Sequence, residues 1–295
     1  MARLPRGQTS LLCGALAACH AGPRPVRLGT TYTVQQSGAL AVIESLWTGA
    51  PLATVVGPSG RILRSAARGD LDVVITHAPT LEARLLGTDH ASLRCPLVAS
   101  RFAVVGPTTD PARVADAASA VDAFRRIAAA RGPFVSRGDS SGTHTKELAL
   151  WRAAGVTPAR PWYIESGADQ ATTLHIADER NGYALADLPT YAKLAGLGLQ
   201  VLFANDTALT NPYTLYVVRA PDPHPAAQPF ARWAATTARA RIAALHLPNG
   251  TPAFSMRAGE CEPPRAAAGA PPRASQPQPA GSSPRVRLSV GVLTP

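Results

Sequence analysis

Long apolar runs and cysteines are both scarce in this sequence of 295 residues, and each shortage excludes a class of protein. The longest apolar stretch, Leu11 to Ala18, is far shorter than the roughly 20 residues that a membrane-spanning helix needs. The cysteines are Cys13, Cys19, Cys95 and Cys261, and no two of them have C-x-x-C spacing. Only Cys95 falls in the predicted core, so the sequence predicts neither a disulfide framework nor a cysteine metal site.

Acidic residues are also under-represented, and the net charge is +10. Residues 1–27 hold four arginines and no acid, and residues 255–295 hold five arginines against two glutamates. Residues 28–254 therefore keep 29 − 9 = 20 basic and 19 − 2 = 17 acidic side chains, a net charge of +3. Because the basic residues concentrate at the two ends, the charge does not indicate a nucleic-acid partner.

Both ends of the chain have the composition of segments that lie outside a folded domain. Residues 1–27 have a basic start and a short apolar run, which predicts a signal peptide and a periplasmic or otherwise extracytoplasmic protein. The sequence Leu-Ala-Ala before Cys19 resembles a lipobox, which predicts lipid attachment at Cys19; ordinary cleavage near Ala21 is the alternative. Residues 255–295 are rich in Pro, Ala, Arg, Gly and Ser, and we expect a disordered tail.

Between these ends, strand and helix signals alternate from Val26 onward. Continuous apolar strands separated by amphipathic helices predict parallel sheets covered on both faces. Residues 91–107 interrupt the alternation with what the pattern indicates is a hairpin, and an alanine-rich helix is expected over 111–130. We therefore expect an α/β fold of two lobes with a ligand cleft between them. Lobe I would comprise residues 28–107 and 200–254, and lobe II residues 108–199.

The most informative segment is PFVSRGDSSGTHTKE, from Pro133 to Glu147. It reads as a short strand, a turn of small polar residues and the start of a helix. Backbone N–H groups at the start of a helix have no intrahelical partner and carry the positive end of the helix dipole. Because Arg137 and the hydroxyls of Ser141 and Thr143 adjoin such a start, the segment predicts an anion site. The alternative for Arg137 is a surface salt bridge.

The same turn, Gly138 to Gly142, also matches the G-x-S-x-G pattern of serine hydrolases in a strand–turn–helix context. A secreted serine hydrolase is therefore the alternative function. It would need a later acid and base, and the candidates are Asp187 with His224 or His246. The other histidines of the core have no metal-ligand spacing, so we expect no metal site and no cofactor.

At these residues the chain resembles the tungstate-binding components of bacterial ABC importers, a branch of the type II periplasmic binding proteins. The motifs that carry the resemblance are Thr30 to Gly38, the turn Val56 to Gly60 and the strand GDLDVVITHAP. The most specific is the family's S-R-G-D-x-S-G-T-H-x-K-E-L-x-L-W segment, matched without a gap from Ser136 to Trp151. The resemblance covers residues 26–254 and implies a two-lobed binding protein, not an enzyme.

The resemblance also implies which residues contact the ligand. The family's oxyanion contacts fall on Thr30, Thr31, Ser59, Arg137, Ser141, Gly142 and Thr143, with Thr173 as an addition. The implied ligand is tungstate or molybdate, bound whole, and the implied partner is a membrane permease of the ABC type.

Three departures from the family's pattern bear on this site. Tyr32 and Thr33 replace a Thr and a Ser, and Leu188 replaces an Arg. A glycine-rich segment is replaced by Asp169-Gln170-Ala171, which would bring an acid close to an anion.

Overall fold

A computed structural model describes residues 23–264, so residues 1–22 of the predicted leader, with Cys19, and most of the predicted tail lie outside the described residues. The predicted leader extends too far, because its last two residues, Val26 and Arg27, begin the first strand. The strands are β1 (Val26–Thr31), β2 (Leu52–Gly57), β3 (Val73–Thr76), β4 (Ala91–Gly106), β5 (Phe134–Ser136), β6 (Tyr163–Glu165), β7 (Ala184–Asp187), β8 (Gln200–Phe203), β9 (Thr210–Val218) and β10 (Ser255–Met256). The α-helices are α1 (Tyr32–Gln36), α2 (Ala39–Leu46), α3 (Ser59–Ala67), α4 (Pro79–Leu85), α5 (Ala120–Ala130), α6 (Gly142–Ala154), α7 (Gln170–Glu179), α8 (Leu188–Tyr191), α9 (Ala227–Trp233) and α10 (Arg239–Ala243).

The first sheet has the strand order β10-β4-β9-β3-β1-β2. β1 lies between β2 and β3 and is parallel to both, while β9 is antiparallel to β3 and to the first part of β4. Alternate residues of β3 enter different cores, because Val73 and Ile75 pack with α2 and α9, whereas Val74 packs with α3. Helices therefore cover both faces, which explains why these strands read as continuous apolar runs.

The second sheet is built on the last part of β4, which pairs with β7 and β8. β5 and β6 are parallel to each other, and Phe134 of β5 bridges to Tyr183 beside β7. Phe102 and Val104 pack with α5 and α6 on one face, and Ala103 and Val105 pack with α7 on the other. We call the residues around the first sheet lobe I and those around the second sheet lobe II.

The predicted hairpin at residues 91–107 is wrong, because Ala91–Gly106 is one strand of 16 residues that passes from the first sheet to the second. No glycine, proline or asparagine lies between its two halves, so nothing there forms a turn. The pairing also moves the expected lobe boundaries: residues 102–106 and 200–203 pair within the second sheet, not the first.

Two predicted helices differ in extent. The helix expected over 111–130 begins at Ala120, capped by the Ser119 hydroxyl. Asp110 accepts hydrogen bonds from Val114 and Ala115 in the preceding turn. The run from Ser37 to Trp47, which the sequence also predicts as a helix, forms α2 only from Ala39 onward; Gly38, whose φ of 89° lies in the left-handed region, separates α2 from α1.

The C-terminal boundary and the cysteine prediction both require correction. Cys261 forms a disulfide with Cys95 of β4, and Ser255–Met256 pairs with the same strand. Residues 255–264 are therefore attached to lobe I, not disordered. The prediction failed because a pairing across a sequence separation of 166 leaves no local pattern to read.

Within residues 23–264, no helix combines the length and apolar character that crossing a membrane requires.

Candidate functional site

The predicted contact residues lie where the carboxyl ends of strands from both lobes meet. β1 ends at Thr31, and β2 leads directly into α3 at Ser59. From lobe II, β5 ends at Ser136 and the loop from Arg137 to Ser141 leads into α6. Loops at the carboxyl ends of strands are the usual ligand sites of open α/β sheets.

Ser141 begins α6, as the sequence predicts. Its extended backbone and its Oγ, which accepts from the His144 N–H at 3.2 Å, make it the N-cap, and Gly155 ends the helix in the left-handed conformation. Because the Ser141 oxygen accepts this bond, its own O–H remains able to donate. The hydroxyl of Thr143, the second residue of α6, is buried and has no hydrogen-bond partner.

Arg137 is buried, with 2% of its surface exposed, so it does not form the surface salt bridge considered as the alternative. Its Nη2 donates to Asp139 Oδ2 at 2.5 Å, and Asp139 Oδ1 accepts from the Ser141 N–H at 3.0 Å. Asp139 therefore orients the guanidinium and ties it to the start of α6. The Arg137 Nε is buried without a partner.

Beneath this loop lies a buried carboxyl group that the sequence did not single out. Ser136 Oγ donates to Glu147 Oε2 at 2.8 Å and accepts from the Gly138 N–H at 3.2 Å. Glu147 Oε1 accepts from the Tyr163 hydroxyl at 2.8 Å and from the Trp151 indole at 3.2 Å. Burial is the main cause that raises the Glu147 pKa to about 7. Glu147 thus fixes the start of the loop that carries Arg137.

In lobe I the two threonines of β1 have different partners. The Thr30 hydroxyl donates to the Ile75 carbonyl at 3.2 Å, so its proton is already used within the sheet. Thr31 Oγ1 accepts from the Val34 N–H at 3.3 Å as the N-cap of α1, and its proton remains able to donate. Thr33, two residues on, is fully buried and its hydroxyl has no partner, so it is a donor that the sequence reading left out.

The two lobes touch directly at the predicted contact residues. Ser59 Oγ accepts from the Gly142 N–H at 3.2 Å, and the Gly60 N–H donates to the Ser140 carbonyl at 3.1 Å. A Cβ atom on Gly142 would lie 2.6 Å from two atoms of the His77 ring, so only glycine permits this approach. The lobes are therefore closed on each other at this point.

Thr173, the added contact residue, has a hydroxyl that is already bonded. It donates to the Asp169 carbonyl at 2.7 Å and lies 2.8 Å from Ser166 Oγ. The Asp169 carboxylate caps α7 through the Thr172 N–H and accepts from Gln36 Nε2, across the lobe boundary, at 3.1 Å. The unusual acid at position 169 thus has donors of its own.

Buried polar atoms without a partner are few among the described residues, and they concentrate on the elements that bound the cleft. The unpartnered atoms are Thr33 Oγ1, Gln36 Oε1, His77 Nε2, Arg137 Nε, Thr143 Oγ1 and Gln170 Oε1. Burying a polar group without a hydrogen bond is costly, and such groups in a folded protein point to a missing ligand atom or to function. Arg137 Nε and the two threonine hydroxyls are groups that can donate to an anion.

The residues proposed for a hydrolase triad do not come together. Asp187 is buried and accepts from Ser100, Asn211 and Tyr213, with no histidine among its partners. His224 bonds to the Arg24 carbonyl and the Ala226 N–H, and His246 bonds to the Ala244 carbonyl. Ser140 therefore has no assembled acid–base pair. Within residues 23–264, no group of three or more His, Cys, Asp or Glu side chains could hold a metal ion.

Comparisons with known proteins identify the family. The profile described as the PBP superfamily domain matches residues 19–238. A Haloferax volcanii protein, whose name assigns it to anion binding in an ABC transporter, is 36% identical over 63% of this chain and 57% of its own length. The tungstate-binding protein TupA of Peptoclostridium acidaminophilum is 32% identical over 69% of this chain and 77% of its own length.

Solved structures give the same result. The crystal structure of the tungstate ABC transporter from Geobacter sulfurreducens superposes on this chain with a TM-score of 0.60, and the two sequences are 34% identical. The match covers 77% of this chain and 96% of that one. The fold is thus the two-lobed type II periplasmic binding protein fold that the sequence predicted. The chain belongs to the periplasmic binding protein superfamily and, within it, to the family of its tungstate-binding relatives.

Proposed function

We propose that this chain is an extracytoplasmic solute-binding protein that captures tungstate, with molybdate as its second ligand, for an ABC-type importer. The observation that carries the proposal is that Arg137, in the loop that leads into α6, and Thr143, in the first turn of α6, are both buried and each has a donor atom without a partner. The names of the relatives support the same ligand.

The donors expected to hold the anion come from both lobes. Lobe II contributes Arg137, the Ser141 hydroxyl and Thr143, and lobe I contributes the hydroxyls of Thr31 and Ser59. Hydrogen bonds to a charged group are worth roughly 1.5–3 kcal/mol each, so several such donors can hold a dianion without neutralising it. Thr30 and Thr173 would have to exchange an existing partner before their hydroxyls could join the set.

Selectivity would follow from proton content and size. Tungstate and molybdate are dianions at neutral pH and carry no proton, so they suit a set of donors. Monoprotonated phosphate needs an acceptor as well. Sulfate has the same charge as tungstate, and its exclusion would rest on the enclosed radius of the donor shell.

Two contacts that join the lobes suggest how anion binding would be communicated to the permease. They lie between Ser59 and Gly142 and between Gln36 and Asp169. An anion bonded to donors of both lobes favours the closed arrangement over an open one, because only the closed arrangement offers all of the bonds. The closed lobes would present a single surface to the permease. We propose no catalytic role for Ser140, because the groups that would activate it have other partners.

We also propose that the segment before β1 directs export and that Cys19 carries a lipid. Labelling cells with radioactive palmitate tests the anchor, and the Cys19→Ala protein should take up no label. Label retained by that variant would exclude Cys19 as the attachment site.

The proposed ligand can be tested by thermal unfolding of the mature protein with added oxyanions. A ligand that binds only the folded state stabilises it by about 2.7 kcal/mol at 100 times its Kd. We expect tungstate and molybdate to raise Tm at micromolar concentrations, and sulfate and phosphate to leave it unchanged. An equal response to all four anions would contradict the proposal.

A further inference from the structure

His77 has an unpartnered buried atom at this boundary, and the proposed site does not yet use it. It directly follows β3, at the same sheet edge as the end of β1, and only 2% of its surface is exposed. Its ring stacks on Tyr213 with centroids 5.2 Å apart, and the Gly142 backbone of lobe II lies against it. His77 thus packs directly on a residue expected to bind the anion.

The hydrogen bonds behind His77 determine which ring nitrogen carries the proton. Asn211 Nδ2 donates to Asp187 Oδ1 at 2.9 Å and to Ser100 Oγ at 3.1 Å. The Asn211 oxygen is therefore the atom that faces His77 Nδ1, at 3.0 Å, and Nδ1 must donate to it. In the neutral ring Nε2 is then a bare acceptor, and it is buried without a partner.

The charge balance of the site indicates a role for His77 Nε2. Arg137 and Asp139 are both buried and form an ion pair, so together they carry no net charge. A dianion entering this site brings two negative charges into a desolvated region where a buried charge is costly unless it is paired. Other groups also lie near His77. Tyr213 and Phe102 lie beside its ring, and Asp187 lies behind Asn211. Lys146 lines a cavity of about 300 Å³ together with His77 and donates to the Ala208 carbonyl.

We propose that His77 is a further residue of the anion site, and that binding is coupled to uptake of one proton, which His77 Nε2 holds against an oxygen of the bound anion. The inference rests on the proposed oxyanion-binding function and adds a specificity element to it. A fully deprotonated dianion cannot satisfy a bare acceptor, but it pairs strongly with an imidazolium N–H.

The direction of the pH dependence follows. Burial, with a smaller effect of the Arg137 charge, lowers the His77 pKa to about 4, partly offset by the hydrogen bond to Asn211. An adjacent dianion raises that pKa, because it favours the charged ring. Affinity is therefore greatest at low pH. Above the pKa of the unliganded state it falls by up to about tenfold per pH unit, until pH passes the pKa of the complex.

Calorimetric titration of the mature protein with sodium tungstate tests this coupling. Titrations at one pH near 7, in two buffers that differ in ionisation enthalpy, measure the protons taken up on binding. We expect the parent to take up between about half a proton and one proton. The His77→Gln side chain can donate an amide N–H without first taking up a proton. This variant should therefore bind tungstate within about tenfold of the parent, with no proton uptake.

Three variants test which residue takes up the proton. His90→Gln changes an exposed histidine of the same lobe and should leave uptake unchanged. Glu147→Gln removes a buried group whose pKa is raised to about 7 and should also leave proton uptake unchanged. His77→Asn provides a second removal of the ring should His77→Gln not fold.

The outcomes separate the two proposals. Tungstate binding without proton uptake in the parent overturns the role of His77 and leaves the proposed function standing. Uptake that persists in both His77 variants, or that disappears in Glu147→Gln, overturns it as well. A parent protein that gives no heat with tungstate overturns the proposed function itself.

Discussion

Replacing Arg137 with alanine removes the full positive charge of the proposed donor set. The side chain is 2% exposed, and its Nη2 lies 2.5 Å from Asp139, so the substitution also leaves a buried carboxylate beside the anion without its partner. Loss of one charge-assisted hydrogen bond costs roughly 1.5–3 kcal/mol, and the unpaired carboxylate adds repulsion. We expect a total loss of about 2–4 kcal/mol, which is roughly 30- to 700-fold in Kd.

Related variants separate the contributions to this loss. Arg137→Lys should recover part of the affinity, because an ammonium group keeps the charge but not the planar fork. Arg137→Ala combined with Asp139→Asn should bind better than Arg137→Ala alone, because the unpaired carboxylate is gone. Thr143→Ala removes a neutral donor and should cost about 1–2 kcal/mol.

The assay is calorimetric titration with tungstate at fixed pH and salt. Arg152→Ala is the matched control. It removes an exposed arginine from the last turn of α6, the helix that follows the Arg137 loop, and should bind tungstate as the parent does. If Arg137→Ala binds tungstate within about threefold of the parent, the anion is held elsewhere and the site assignment is wrong.

Three further predictions concern closure, pH and the disulfide. Gly142→Ala should weaken tungstate binding at least tenfold while leaving the unliganded Tm nearly unchanged, because the added Cβ meets His77 only when the lobes close; equal affinity in titrations would refute this. The Glu147 pKa is raised by burial from 4.5 to about 7, so the folded state holds a proton that the unfolded state has lost, and this contribution to stability falls as pH rises through that window. Urea unfolding at several pH values should therefore show a smaller decline for Glu147→Gln, and parallel pH profiles would contradict the assignment. Cys261→Ser should lower the free energy of unfolding by roughly 2–4 kcal/mol and leave a free thiol on the buried Cys95, which thiol reagents reach only in the unfolded protein; no change in unfolding would show that the bond is absent.

The local parts of the fold could be read from the sequence. α6 begins and ends as expected, because a serine cap and a glycine at the helix end are signals that act within a few residues. α7 likewise begins at a side-chain cap, the Asp169 carboxylate, and the polar loop between β5 and α6 lies where the sequence predicts it. The alternation of strands and helices and the family resemblance both predicted the two-lobed architecture.

What could not be read depends on contacts between distant residues. The passage of β4 from one sheet to the other and the pairing of Cys95 with Cys261 are decided by the partners, not by the local pattern. Glu147 and His77 both lie within segments that carry the family resemblance, but no local pattern predicts a role for either, and their importance follows from burial and from the atoms that surround them. Thr33 was passed over as a departure from the family's pattern, although its buried hydroxyl has no partner.

The central claim is that the closed boundary between the lobes binds a fully deprotonated tetrahedral oxyanion. The most direct test is calorimetric titration of the mature protein with tungstate, molybdate, sulfate and phosphate under one set of conditions. We predict one site per chain that binds tungstate and molybdate at least about 1,000-fold more tightly than sulfate or phosphate, a difference of about 4 kcal/mol. Binding of sulfate or phosphate as tight as that of tungstate, or no binding of any of the four, would contradict the claim.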